Sequence, residues 1–112
     1  MVILDSQFKK GLLELCVLGI VYNKDCYGYE LVEEVSKVVN ISSGTLYPLL
    51  KRLQNYKHLD YYIIESVSGP PRKYYKITTI GKNYFKKQRE EWFEISNSIS
   101  NFLKGVENNE HD

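Results

Sequence analysis

Seven polar residues in two groups carry the chemistry open to this sequence. Ser43, Thr45, Tyr47, Lys51 and Arg52 form one group, and Arg72 and Lys73 follow twenty residues later. Hydroxyls and cations of these kinds bond phosphate oxygens and base edges. They do not form a catalytic unit, which needs a nucleophile, a base and an orienting group within reach of one another. The histidines, His58 and His111, have no acid or nucleophile at such a spacing, and there is no P-loop, GxGxxG or metal-ligand cluster. Cys16 and Cys26 make no CxxC pair. The residue types therefore predict a binding protein, not an enzyme, with no cofactor and no metal.

Charge supports a polyanionic partner. The 112 residues sum to +1, but Lys51 to Arg89 contains ten Lys/Arg and two acids, a balance of +8. The rest carries five Lys/Arg and twelve acids, a balance of −7. A basic segment on an otherwise acidic chain suits a nucleic-acid surface, against the plainer reading of a solvated basic stretch. The apolar run Leu15 to Tyr22 is eight residues long, far short of the roughly 20 needed to span a bilayer. The N-terminal residues lack the basic and apolar regions of a signal peptide. A cytoplasmic location with reduced thiols is expected, and no membrane partner.

The elements that must position the seven residues follow from periodicity. Phe8 to Tyr22 reads as a first helix, apolar almost all round and so buried on more than one side. Gly28 to Val39 reads as a second helix, with Leu31, Val35, Val38 and Val39 on its inner face. Asn40 to Gly44 supplies a turn and a side-chain cap for a third helix. In that helix Leu46, Leu49, Leu50 and Leu53 fix the buried face, leaving Thr45, Tyr47, Lys51 and Arg52 to the outer face or its flanks. Pro48, lacking an N–H, suits the first turn, so the regular helix is expected to begin near Gly44 or Thr45. Arg52, next to Leu53, has a second reading as the partner of an internal acid. Tyr61 to Val67 and Lys73 to Thr78 are β-rich runs about Ser68-Gly69-Pro70-Pro71. One of Tyr74 and Tyr75 must point inward, because successive strand residues face opposite ways.

Thr78 or Thr79 is expected to cap a last helix reaching about Gly105, some 40 Å long. Phe85, Trp92, Ile99 and Val106 recur every seven residues, as do Gln88, Ile95 and Phe102. This a/d row has the pattern of a helix that pairs, most simply with a second copy of itself. The expected fold is mainly α with a small β-hairpin: a winged helix-turn-helix over residues 1–78, a C-terminal dimerisation helix over 79–106, and a polar tail over 107–112. In such a fold the third helix enters a major groove while the hairpin reaches the adjacent backbone.

At these residues the chain resembles the PadR family of transcriptional regulators. The matching stretches are Gly28-Tyr29-Glu30-Leu31, Gly44-Thr45-Leu46-Tyr47-Pro48 with Leu50 and Arg52-Leu53, Gly69-Pro70-Pro71-Arg72-Lys73-Tyr74-Tyr75, and Ile77-Thr78 with Gly81. Lys57 stands where the family's pattern has the glycine that ends the third helix. The resemblance implies a bacterial, winged-helix homodimer that represses genes by binding inverted-repeat operators. It further implies contact between subunits through the first and last helices, here Leu15 and Leu18 with Gln88, Trp92, Ile95, Ile99 and Phe102. The short members with one C-terminal helix are the most similar, and some bind flat aromatic drugs between the subunits near the tryptophan. For Trp92 two readings stand together: packing across the dimer, or one wall of an aromatic slot supported by Phe85 or Phe93. The acids Glu90, Glu91 and Glu94 would draw a planar cation there. A competing function is a winged helix that binds proteins and not double-stranded DNA.

Overall fold

In a computed structural model that describes residues 6–107, four helices enclose a three-stranded antiparallel sheet. The order is α1 (Ser6–Asn23), β1 (Cys26–Tyr27), α2 (Gly28–Ser36), α3 (Ser43–Asn55), β2 (Leu59–Ile64), β3 (Arg72–Ile77) and α4 (Thr79–Glu107). The tail beyond residue 107, with His111, lies outside the described residues.

The core forms where the apolar stripes of these elements meet. Leu13, Val17, Leu18 and Val21 of α1 pack with Leu31 and Val35 of α2 and with Leu46, Leu49, Leu50 and Leu53 of α3. The leucine spacing of the third helix thus faces inward as its periodicity predicts. Leu59, Cys26 and Tyr75 close the core from the sheet, and Tyr75 is the inward member of the tyrosine pair. Phe85, from the second turn of α4, belongs to the same core. Its ring lies over Gly19, where an added Cβ would stand 3.2 Å from it, and beside the Tyr22 ring at 5.3 Å.

Several elements differ from the sequence expectation. The third strand, β1, pairs Cys26 with Tyr75 and Tyr27 with Tyr74, and two residues are too few to show a period. The hairpin strands begin earlier and β2 ends at Ile64, paired with Arg72. The next positions of that register would fall on Pro71 and Pro70, which have no N–H to extend the ladder. α2 ends at Ser36, and the Val38 N–H bonds three residues back to the Val35 carbonyl. This tighter turn rotates Val38 outward, half exposed, while Val39 stays buried. α3 begins at Ser43, one residue before the expected start, so Pro48 lies beyond its first turn. Ser42 is the N-cap residue, yet its hydroxyl pairs with that of Thr45 at 3.3 Å and caps no backbone N–H.

The junction between α3 and the hairpin resolves the substitution at Lys57. Here the His58 N–H bonds to the Leu53 carbonyl at 2.9 Å and the Lys57 N–H to that of Gln54 at 3.0 Å. This is the Schellman closure, which needs a left-handed residue after the cap. Lys57 supplies it at φ 66°. A side chain in that region costs about 1–2 kcal/mol, partly offset in a glycine by its greater unfolded-state freedom. Lys57→Gly is therefore expected to stabilise the fold by about 0.5–1 kcal/mol, read as a higher midpoint of urea unfolding.

Thr78 fastens α4 to this junction. Its N–H bonds to the His58 carbonyl at 3.1 Å, its hydroxyl lies 2.6 Å from the Lys57 carbonyl, and Gly81 N–H bonds to that hydroxyl at 2.9 Å. The threonine cap expected for the last helix is thus made by Thr78. The first turn of α4 presses so closely here that a Cβ on Gly81 would overlap the His58 carbonyl. The carbonyl belongs to backbone, and neither it nor a Cβ fixed to the Gly81 backbone can rotate away. Gly81→Ala is expected to cost about 1–3 kcal/mol, as overpacking does, measured by the same unfolding curves.

Candidate nucleic-acid interface

Helical geometry sorts the polar residues of α3. At about 100° per residue, Lys51 lies roughly 150° from the centre of the leucine face, while Tyr47 and Arg52 lie roughly 110° from it on opposite flanks. Lys51 is accordingly exposed, and Ser43 and Thr45, in the first turn, are exposed as well. Tyr47 leans towards α2, where its ring covers Gly28, and a Cβ there would stand 2.7 Å from the Tyr47 hydroxyl. The glycine leaves room for the ring, which remains half exposed.

Arg52 turns the other way, towards α1. Its Nε donates to Glu14 Oε1 at 2.9 Å, and its Nη2 lies 2.9 Å from the same oxygen. The guanidinium is 27% exposed and the carboxylate 18%. Of the two roles open to Arg52, this geometry is the internal one, with the outward cation of α3 left to Lys51. The signal in the sequence is Glu14 itself, the one charged residue between Gly11 and Asn23 of the first helix.

The hairpin sets cations on both of its faces. Arg72, Tyr74 and Lys76 alternate with Lys73, Tyr75 and Ile77 along β3. On the outer face Tyr62 stacks on Tyr74 at 5.6 Å, and Tyr27 meets Tyr74 edge-on at 5.5 Å. The Arg72 guanidinium lies 4.7 Å from the Tyr27 ring centre. On the other face Lys73 Nζ lies 4.0 Å from the centre of Tyr61. An aromatic face attracts a cation without accepting its N–H bonds in the usual directions, so the rings orient these groups and leave donors for phosphate. The Tyr62 hydroxyl donates to Asp25 Oδ2 at 2.8 Å, tying β2 to the turn after α1. That hydrogen bond also raises the pKa of the phenol.

The fold and its cationic head define a winged helix-turn-helix protein. The sequence pattern of the Transcriptional regulator PadR-like family matches residues 17–87. The chain belongs to that family. A PadR-like transcriptional regulator of known structure from Bacillus cereus is 37% identical, with a TM-score of 0.77 over 88% of this chain and 97% of that one. A PadR family transcription regulator from Clostridium difficile is 32% identical, with a TM-score of 0.76 over 81% of this chain and 97% of its own. An uncharacterised protein of Lysinibacillus sphaericus is 35% identical over 106 residues, 91% of this chain and 97% of that protein.

A pocket of about 480 Å³ opens between α1 and α4. Glu14, Leu15, Tyr84, Gln88, Glu91 and Trp92 are among its lining residues. Of the aromatic residues considered at this site, Trp92 lines the pocket. Phe85 is held in the core over Gly19, and Phe93 is exposed and does not line it. Leu18 is buried in the chain's own core and lies against the floor of the pocket. Along α4, by contrast, Trp92, Ile95, Ile99 and Phe102 are exposed in the single chain at 39, 56, 52 and 69%. No helix among the described residues is long and apolar enough to cross a membrane. No group of His, Cys, Asp and Glu among them could hold a metal ion.

Proposed function

We propose that the protein is a dimeric, sequence-specific DNA-binding repressor that releases its operator when a small aromatic effector binds. The observation that carries the DNA reading is the outward Lys51 of α3, flanked by Ser43, Thr45 and Tyr47, beside a wing with Arg72 and Lys73 on opposite faces. A helix with that outer face fits a major groove, and cations on both sides of a hairpin fit the phosphates that border it. The exposed apolar row of α4 supports pairing with a second copy through Trp92, Ile95, Ile99 and Phe102. The pocket beside Trp92 supports the effector reading, because flat rings stack favourably on indole. An effector releases DNA only if it binds the DNA-incompetent arrangement more tightly than the other.

Selection from a pool of random duplexes tests this reading. The expected product is an inverted repeat with half-sites about 34 Å apart or a near multiple. Its affinity is expected to fall by several orders of magnitude between low and moderate salt, as a protein touching roughly 6–10 phosphates requires. A pool that yields no repeat, or binding indifferent to salt, would leave the protein-interaction reading, for which the exposed wing residues Ile63, Ile64 and Val67 offer an apolar surface.

A further inference from the structure

Two walls of the pocket touch the DNA-reading head directly. Glu14 lines the pocket and holds both Arg52 contacts on its Oε1. Arg52 sits in the last turn of α3, immediately after the outward Lys51. Tyr84 lines the pocket too, and its ring stacks on His58 at 4.2 Å and 18°. His58 closes the end of α3, and its backbone carbonyl accepts the N–H of Thr78 where the wing meets α4. A molecule in the pocket therefore lies one residue away from both the helix and the root of the wing.

The pocket wall is also electronegative. Glu14 and Glu91 both line it. The Tyr84 phenol is raised by burial first and then by the charges of Glu14 and Glu91, so both carboxylates are felt at that ring. A flat ring bearing a positive charge would meet the indole of Trp92 and two carboxylates there.

We propose that Glu14 is a shared carboxylate, held by Arg52 when the pocket is empty and claimed by a flat organic cation when one binds. The proposal rests on the effector reading of the pocket and adds the route by which a bound cation acts on the head. A cation beside Glu14 both neutralises the charge that anchors Arg52 and repels the guanidinium. The last turn of α3 then loses its tether to α1, and the Lys51 turn loses its fixed position against the wing. Arg52 acts here as a positioning residue. Linkage makes the effect reciprocal: if the ligand weakens the Arg52 tether, Arg52 must weaken the ligand. Removing Arg52 should therefore tighten cation binding, the opposite of what general damage to the pocket would do.

The test uses the full chain and a matched pair of probes, N-methylphenanthridinium and uncharged phenanthridine, titrated by quenching of Trp92, the single tryptophan. The wild type is expected to prefer the cation. Arg52→Gln is expected to bind the cation at least threefold more tightly and phenanthridine unchanged, and Glu14→Gln to lose most of the preference for the cation while Glu91 retains the rest. Arg52→Lys, which keeps a cation beside Glu14, is expected to restore wild-type affinity. In the wild type the Nε–H resonance of Arg52, one of only three arginines, is expected to shift and exchange faster with solvent as the cation is added. Probes that bind with no gain in Arg52→Gln, or an Arg52 resonance that ignores the cation, overturn the shared carboxylate while the pocket stands. A wild type in which neither probe quenches Trp92 overturns the effector reading and this proposal with it. The resonance decides the matter in the wild type even if Arg52→Gln does not fold.

Discussion

Replacing Ile95 and Ile99 together by glutamate is expected to convert a dimer into monomers and to reduce operator affinity at least a hundredfold. Both side chains are more than half exposed in the single chain, so their loss removes little from its own core. In the proposed pair they would sit in the contact row, and a fully buried isoleucine contributes roughly 1.5–3 kcal/mol. Four such residues per dimer amount to several kcal/mol even at partial burial, and the new carboxylates must then be desolvated facing one another. Operator affinity follows because two linked heads bind an inverted repeat with a shared, effectively intramolecular second step. Sedimentation at micromolar concentration, with circular dichroism to follow the fold, checks the first half, and titration of the selected duplex checks the second. A variant that unfolds would show that the protomer needs its partner to be stable, as many dimers do. A wild type that sediments as a monomer would refute the pairing itself.

The triple substitution of Lys51, Arg72 and Lys73 by alanine carries the second large effect, a loss of at least a thousandfold in operator affinity near 0.1 M salt. Six cations disappear per dimer, and each phosphate contact contributes about 0.9 to the slope of log affinity on log salt. The slope is thus expected to flatten by about five. The single changes should divide the roles. Lys51→Ala is expected to reduce preference for the operator over random duplex, since it lies on the outward side of α3 that the proposed mode of binding sets in the groove. Arg72→Ala and Lys73→Ala are expected to weaken both duplexes evenly, because wing cations that meet phosphate read no base. Arg52→Ala should leave the salt slope unaltered, its charge being engaged by Glu14. Retention of the wild-type slope in the triple variant would remove DNA from the reading.

Periodicity and composition alone determined the inner face of α3, the inward turn of one tyrosine at the hairpin, the +8 segment and the apolar row of α4. These are local properties: a repeat of 3.6 or 2 fixes the side of an element on which each residue stands. The family resemblance was legible for the same reason, its motifs being short and in order along the chain. Tertiary structure decided which neighbour each flanking residue meets. Arg52 and Tyr47 stand at equal angles from the leucine face, yet one is taken by Glu14 and the other lies over Gly28. Phe85 fits the heptad row as well as Trp92 does, but Gly19 on α1 opens a place for its ring and draws it into the core. The strand at Cys26 exists because Tyr74 and Tyr75 offer it an edge, not because two residues prefer it. Lys57 keeps a glycine's backbone angle because the Schellman bonds around it outweigh a strain of about 1–2 kcal/mol. Side-chain direction is written in the spacing of the chain, while the partner waiting there is supplied by segments up to tens of residues away, and packing alone brings the two together.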